Sequence, residues 1–382
     1  MSRETEINAL IDWMSDGAPP SADGRQIVTQ ICNKLNHAGI PIDLYRLFLL
    51  TIHPLVGGRR LQWTDEDGTQ IAEAGFALFD SDQYHANPMP DVIRTRKSLR
   101  RRLVDPECPR DYRIVEELIE EGFTDYLIQP VIYIDGEVHA MSWATQHPEG
   151  FSDFAINSLE RIRAPLTRLV ESYILRLNAA SIISTYVGRN AGEQVLSGHI
   201  KRGDTEEISA VILFADLKSY TSLSNRMPAA QVIDTLNRYY DALAVPINSH
   251  RGEISKFMGD GLLAIFPLKD NNETELIEHA RDARKAVRQA HAEFSDGDGG
   301  FRTALHIGRL FYGNIGAANR LDFTAIGPSV NLAARLLDAA EKLGADDVCS
   351  QSIAELLPDQ TKLLGSLNLK GFDMEQQVYR LE

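Results

Sequence analysis

Residues 208–215 read Ile-Ser-Ala-Val-Ile-Leu-Phe-Ala and run into Asp216. A near-continuous apolar run of that length, closed by an acid, reads as a buried strand with its terminal carboxylate just outside the sheet. Residues 253–266 read E-I-S-K-F-M-G-D-G-L-L-A-I-F. Two short apolar segments there are joined by Gly259-Asp260-Gly261, which predicts a tight hairpin with an acid at its tip. Asp216 and Asp260, far apart in sequence, are therefore expected at the ends of adjacent strands. Hard cations such as Mg²⁺ take one or two carboxylates together with phosphate oxygens, and paired metals clamp a displacement at phosphorus. The plainer alternative for two such aspartates is an N-cap or a turn.

The pattern around this pair predicts an ordered set of elements. Between the two motifs, residues 228–250 have helical spacing, with Val232, Leu236, Tyr239, Tyr240 and Leu243 on one side. Residues 274–294 read as a second helix that ends near the Gly-Asp-Gly-Gly of residues 297–300. Residues 301–307 read as a strand, residues 310–315 as another, residues 329–343 as a helix, and the tail adds short strands. Strand, helix, hairpin, helix and strand in that order make the β-α-β-β-α-β ferredoxin-like pattern with C-terminal additions.

Three motifs in this half carry a family resemblance. They are F-A-D-L-K-S-Y-T at residues 214–221, K-F-M-G-D-G at residues 256–261, and L-D-F-T-A-I-G-P-S-V-N-L-A-A-R at residues 321–335. Together they resemble the catalytic domain of class III nucleotide cyclases, over residues 205–382. The resemblance implies an α+β fold, a ferredoxin-like catalytic core, and conversion of ATP to 3′,5′-cyclic AMP and pyrophosphate. It implies two Mg²⁺ ions, for which Mn²⁺ can substitute, held by Asp216 and Asp260. Asn331 is expected to orient the ribose and Arg335 to meet the transition-state phosphate. The two lie at i and i+4, on one helix face, and Arg offers a fixed fork of donors to phosphate. Their ordinary alternative is a polar surface helix.

Lys370, in Leu-Lys-Gly, matches the lysine that takes the terminal phosphates, although a Lys before Gly is common. Lys256 and Thr324 are expected to read the base. A lysine donates to adenine N1, an acceptor; guanine N1 carries a hydrogen, and guanylyl members typically place Glu at that position. Many adenylyl members have Asp where this chain has Thr324. The chain thus resembles the branch that uses Thr, some members of which respond to bicarbonate. ATP is the expected substrate, and the strength of discrimination against GTP stays open. In this family one domain supplies the metal carboxylates and its partner supplies the base and phosphate residues. Both sets occur here, so a homodimer with two composite sites is expected. A guanylyl or dual-specificity cyclase is one alternative, and a silent cyclase-like binding module is another. A diguanylate cyclase would want a G-G-[DE]-E-F signature, which this sequence lacks.

The chain has 382 residues, which favours two domains. Its formal net charge of −15 argues against nucleic acid as a partner. Three cysteines without C-x-x-C spacing, Cys32, Cys108 and Cys349, read as reduced thiols, and the reading is a cytoplasmic protein without a signal peptide. The most apolar stretch, residues 44–56, is broken by Arg46, His53 and Pro54, so no transmembrane segment is expected.

Residues 1–153 read as a mixed α/β domain. Helices are expected over residues 4–14, 22–37 and 111–121, strands over 44–53 and 60–64 with a turn at 65–68, and a hairpin of 126–134 and 138–145 about Asp135-Gly136. The G-E-V hairpin, the P-E-G-F-S-D of residues 148–153 and the long helix that follows resemble a GAF-type sensor domain. That resemblance implies a regulatory or dimerising module with an unidentified small-molecule or protein effector. Residues 154–204 read as a helical linker with Ser152 or Asp153 as its N-cap. Its seam of Leu159, Ile162, Leu166, Leu169 and Tyr173 suits either a coiled coil or packing on its own domain, and Pro165 is expected to kink it. The basic run from Arg94 to Arg102 is read as a solvated face or loop, with an anion site or an acidic docking partner as the sharper option. His53, His85 and His306 are read as non-ligands, Cys108 as a loop thiol, and Trp13, Trp63 and Trp143 as core.

Overall fold

A computed structural model describes residues 2–21, 23–270, 272–294 and 300–382. The chain divides into two compact units, Met1–Ile182 and Ile183–Glu382.

The first unit is built on a six-stranded sheet. Its strands are β1 (Leu44–Leu50), β2 (Gly58–Thr64), β3 (Gly68–Ala74), β4 (Leu99–Arg102), β5 (Asp125–Ile132) and β6 (Val138–Thr145), in the order β3-β2-β1-β6-β5-β4. Every pairing is antiparallel. Because strand side chains alternate, one face holds Tyr45, Leu47, Leu61, Trp63, Met141 and Trp143, all buried. That face is covered by α1 (Arg3–Ser15), α2 (Gly24–His37) and α6 (Asp153–Val187). The opposite face meets α4 (Met89–Thr95) and α5 (Arg113–Glu120) through a smaller core around Val92, Val115, Leu118 and Ile128.

The hairpin at Asp135-Gly136 forms as expected: the Tyr133 amide donates to the Glu137 carbonyl at 2.9 Å, and Gly136 takes φ +90, which glycine tolerates best. Ser152 is the cap of α6, its Oγ accepting from the Ala155 amide at 3.2 Å. The seam residues Leu159, Ile162 and Leu166, with Val170 and Ile174, are buried in this unit's own core rather than left free for a second strand. Of the tryptophans, Trp63 and Trp143 are buried, and Trp13 packs against the same cluster.

Two departures here have local causes. Strand β3 carries no strong alternation, and it forms because the turn at residues 65–68 returns the chain onto β2. The basic run is solvated over residues 94–98, as expected, but its end is strand. Residues Leu99–Arg102 pair with β5 as an edge strand, and two of its three arginines, Arg100 and Arg101, are matched to acids. Arg100 gives a fork to Asp125, at 3.1 Å through Nε and 2.5 Å through Nη2, and Arg101 gives one to Asp111. Asp125 has no exposed surface and also accepts from the Phe151 amide at 3.0 Å. The expected start of α2 at Ala22 lies outside the described residues.

The second unit follows the expected order. Strand β7 (Thr205–Leu217) leads through α8 (Tyr220–Arg226) and α9 (Ala229–Ser249) to the hairpin β8 (Glu253–Met258) and β9 (Gly261–Pro267). Then come α10 (Glu273–Glu293), β10 (Phe301–Ala317), β11 (Arg320–Ile326), α11 (Pro328–Leu343) and β12 (Asp347–Ser350). Last are α12 (Gln351–Leu356), β13 (Thr361–Leu367) and β14 (Gln376–Leu381), with α7 (Arg189–Leu196) preceding β7. The core strands lie in the order β10-β7-β9-β8, all antiparallel, and β12, β14 and β13 extend the sheet beyond β10. Helices α9 and α10 bury Tyr239, Leu243, Ile247, Ala283 and Val287 against one face of β7 and β9. Helix α11 covers the other through Val330 and Ala333.

Residues 301–307 and 310–315 are one strand rather than two. Gly308 does not break it, because β10 stays paired with β7 from Phe301 to Gly313 without interruption. The expected turn at residues 297–300 lies outside the described residues except for Gly300. His306 is buried and hydrogen-bonded to Ser350 Oγ at 2.9 Å, and burial pushes its pKa down to about 4, so it is a neutral packed histidine.

Candidate active site

Asp216 is the penultimate residue of β7, opposite Gly261 of β9 and Arg302 of β10. The sequence placed it just beyond the sheet. It lies inside the sheet instead: it forms the last β7–β9 pair with Gly261, and on the other side Phe301 of β10 continues the pairing to Leu217. Asp260 occupies the turn between β8 and β9. That turn needs Gly259 at φ +71. It is pinned on both sides: the Leu217 amide donates to the Asp260 carbonyl at 3.1 Å, and the Tyr240 hydroxyl donates to the Gly259 carbonyl. Sequence-distant acids thus meet, because β7 and β9 are neighbours and end at the same level.

The two carboxyl groups lie close enough for Asp260 to act on Asp216 through charge and hydrogen bonding. Asp216 is half-buried, and its pKa rises to about 6, first from loss of hydration and then from the facing Asp260 charge; Arg302 opposes the rise. Two acids in contact cannot both ionise cheaply unless a proton or a cation lies between them. Among the described residues, no third His, Cys, Asp or Glu completes a metal cluster here. A two-carboxylate donor set leaves the remaining coordination positions to water and phosphate oxygens, which suits Mg²⁺ or Mn²⁺ bound together with a nucleotide. The residues present therefore fit the expected metals.

Lys256 projects from β8 at a bulge between Ile254 and Lys256. Its Nζ lies 2.6 Å from Asp322 Oδ2 on β11. That ammonium holds the Asp322 carboxyl below its usual range. Thr324 stands two residues along β11 from Asp322, hence on the same strand face, and opposite Gly313 of β10. Gly313 cannot carry a side chain: its φ is +153, and a Cβ would fall 2.2 Å from the Asp204 carbonyl oxygen. Asn331 and Arg335 project from the first half of α11, away from the buried Val330 and Ala333. Asn331 is exposed, and Arg335 pairs with Asp338 at 2.9 Å. Lys370 is exposed in the loop before β14. Among the described residues, no hydrogen bond or ion pair joins the Asp216–Asp260 pair to Lys256, Thr324, Asn331, Arg335 or Lys370.

Sequence reasoning missed Asp322, Arg302 and Tyr240. Asp322 was within reach, because its alternation with Thr324 would have put both on one face had residues 321–326 been read as a strand. Arg302 and Tyr240 act through tertiary register, for which no local signal exists.

The chain is similar in sequence to known proteins. Residues 202–382 match the family described as the Adenylate and Guanylate cyclase catalytic domain. An uncharacterized protein of Mycobacterium tuberculosis is 32% identical over 188 residues, covering 48% of this chain and 32% of that protein. Adenylate cyclase 1 of Rhizobium meliloti is 29% identical over 198 residues, 48% of this chain and 29% of that one. The adenylate cyclase of Anabaena cylindrica is 28% identical over 200 residues, 48% and 39% respectively. The chain spans about a third of the length of these curated relatives. The solved structure of the adenylyl cyclase CyaB from P. aeruginosa is 24% identical and covers 47% of this chain and 96% of its own, with a TM-score of 0.40. Among the described residues, no helix is long and apolar enough to cross a membrane. Residues 202–382, the second half of this chain, are thus similar to nucleotide cyclase catalytic domains.

Proposed function

We propose that this chain is an adenylyl cyclase that converts ATP to 3′,5′-cyclic AMP and pyrophosphate. The observation that carries the reading is the contact between Asp216 and Asp260 at the shared end of β7 and β9. The ribose 3′-oxygen attacks the α-phosphorus in line. The O3′–P bond forms as the bond from the α-phosphorus to the oxygen bridging to the β-phosphate breaks; the hydroxyl proton passes to water, and pyrophosphate departs. Asp216 and Asp260 would hold two Mg²⁺ or Mn²⁺ ions, which when bound supply the positive charge that favours the 3′-alkoxide and offsets the triphosphate. Lys256 donates to adenine N1, and Asp322 is a positioning residue that fixes where the ammonium points. Thr324 completes the base pocket from the same strand face. Asn331 orients the ribose, Arg335 presents its fork to the charge that develops on the α-phosphate, and Lys370 meets the terminal phosphates.

Two copies complete each site, the metal carboxylates coming from one and the base and phosphate residues from its partner. We further read residues 1–153 as a GAF-like regulatory domain that binds an effector, residues 154–204 as the transducing segment, and residues 205–382 as the catalytic domain. Three free cysteines suit the reducing cytoplasm.

Complementation tests the composite site. An Asp216→Ala, Asp260→Ala chain and an Asn331→Ala chain should each be inactive. Mixed in equal amounts and allowed to reassort, half of the dimers carry one working site of two, so about a quarter of wild-type activity per chain should return. No recovery, with mixed dimers demonstrated, would overturn the composite site.

A further inference from the structure

The first unit contains a cavity of about 340 Å³. It lies on the sheet face opposite α6, between the strands and the helices α3 (Asp82–His85), α4 and α5. Register places Arg46 in the middle of its floor: Arg46 pairs across to Gln62 on β2 and to Ser142 on β6, and Ile128 of β5 follows beyond Ser142. Phe48 and Arg60 face one another one step along the same face.

The charges in this cavity do not balance. Arg59 pairs with Glu73 at 2.7 Å, and Arg113 pairs with Glu117 at 2.7 Å. His139 accepts the Leu50 amide on Nδ1 at 3.0 Å, and burial pushes its pKa down to about 4, so it is neutral at pH 7. Arg46 donates through Nε to the neutral Gln62 Oε1 at 2.8 Å, and no described carboxylate lies within ion-pair distance of it. Arg60, at the exposed edge of the cavity, likewise has no described ion-pair partner. Burial, and after it the Arg60 charge, depress the pKa of Arg46, while the more distant Glu121 and Glu117 act against this. A half-buried guanidinium left beside a second one, in a chain of net charge −15, is unfavourable unless something anionic binds there. The remaining lining is largely apolar, with Phe48, Ile128, Met89 and Ile93. The volume sits at the lower end of the range for small-molecule sites, roughly 300–1,000 Å³.

We infer that this cavity binds a small organic anion, its carboxylate or phosphate held by Arg46 and Arg60 and its apolar body lying against Phe48, Ile128 and Met89. The inference deepens the effector reading of the first unit. It is independent of the cyclase reading, because its readout is binding rather than turnover.

The test uses the full chain with three probes: phenyl phosphate, benzoate and the neutral benzyl alcohol. Titration calorimetry gives affinity and thermal unfolding gives the shift in Tm. The expected result is saturable binding of at least one anion with a rise in Tm, and no such response to benzyl alcohol. Response to phenyl phosphate alone identifies a phosphate site, and response to benzoate alone a carboxylate site. Arg46→Met, which keeps the apolar stem, should weaken anion binding at least tenfold, about 1.4 kcal/mol. Without ligand it should melt no lower than wild type, since it removes an unpaired charge; a structural arginine would show a lower Tm. Met89→Trp keeps both arginines but fills the cavity, and should also lose binding. Absence of saturable binding for both anions would overturn the inference. So would wild-type anion affinity in either variant, or a lowered unliganded Tm in Arg46→Met.

Discussion

The contact between Asp216 and Asp260 should make Asp216 a stability liability when no cation is bound. Its pKa is raised from 3.8 to about 6 in the folded chain. Below pH 4 the carboxyl is protonated in both folded and unfolded states, and the contact costs nothing. As pH rises from 4 to 6 the unfolded chain releases the proton while the folded chain retains it, so folding is penalised progressively, and above about pH 7 the penalty is constant. Two units correspond to about 3 kcal/mol at 1.36 kcal/mol per unit; Asp216 is partly exposed, and solvent screening reduces this to roughly 1–1.5 kcal/mol. Asp216→Asn keeps the shape, removes the charge and gives Asp260 a donor. With metal chelated, it should therefore raise the second unit's Tm at pH 8 by about 3–5 °C, at 2–4 °C per kcal/mol for a domain of this size. At pH 4 the gain should vanish. Calorimetry is the assay, because all three tryptophans lie in the first unit and leave the second silent in tryptophan fluorescence. A gain of equal size at pH 4 and pH 8, or a loss at pH 8, would refute the repulsion argument. In the same scans Mg²⁺ should stabilise wild type more than Asp216→Asn.

Three other outcomes follow from particular contacts. Asp125→Ala leaves Arg100 without its fork and the Phe151 amide without its acceptor, so the first unit should lose about 3–5 kcal/mol, read by urea unfolding followed through tryptophan fluorescence; a loss below 1 kcal/mol would contradict the burial of that pair. Lys256→Glu should shift preference from ATP toward GTP by about 10²-fold in kcat/KM, measured with both nucleotides; an unchanged ratio would remove Lys256 from the base pocket. Asp322→Asn frees the Lys256 ammonium, and it should raise KM for ATP several-fold with little change in kcat and no change in Tm; an equal loss in kcat would make Asp322 more than a positioning residue.

The second unit was legible where chemistry and local structure coincide. The apolar run into Asp216 and the Gly-Asp-Gly turn announce both the strands and the acids, and the order strand, helix, hairpin, helix and strand followed from periodicity and turn residues. What could not be read were features set by tertiary register. Asp216 lies within the sheet because β10 continues the pairing one residue past it, β10 runs straight through Gly308 because β7 holds it, and Asp322 meets Lys256 because β11 comes against β8. In the first unit the end of the basic run misled for a related reason. A cluster of arginines looks solvated in one dimension, yet Asp111 and Asp125 are brought to it by a loop and a neighbouring strand. The unpaired Arg46 was visible only as an interruption in an apolar stretch; the cavity around it is assembled from five strands and the helices above them.

The central claim is tested most directly by product formation from the purified chain with ATP and with GTP, in Mg²⁺ and in Mn²⁺, across protein concentrations, with Asp216→Ala as control. The account predicts cyclic AMP, activity per chain that rises as dimers form, and none from Asp216→Ala. Comparable cyclic GMP would contradict the ATP assignment. No cyclic product from either nucleotide, from a dimeric chain that binds ATP and at saturating anion for the first-unit cavity, would contradict the cyclase reading itself.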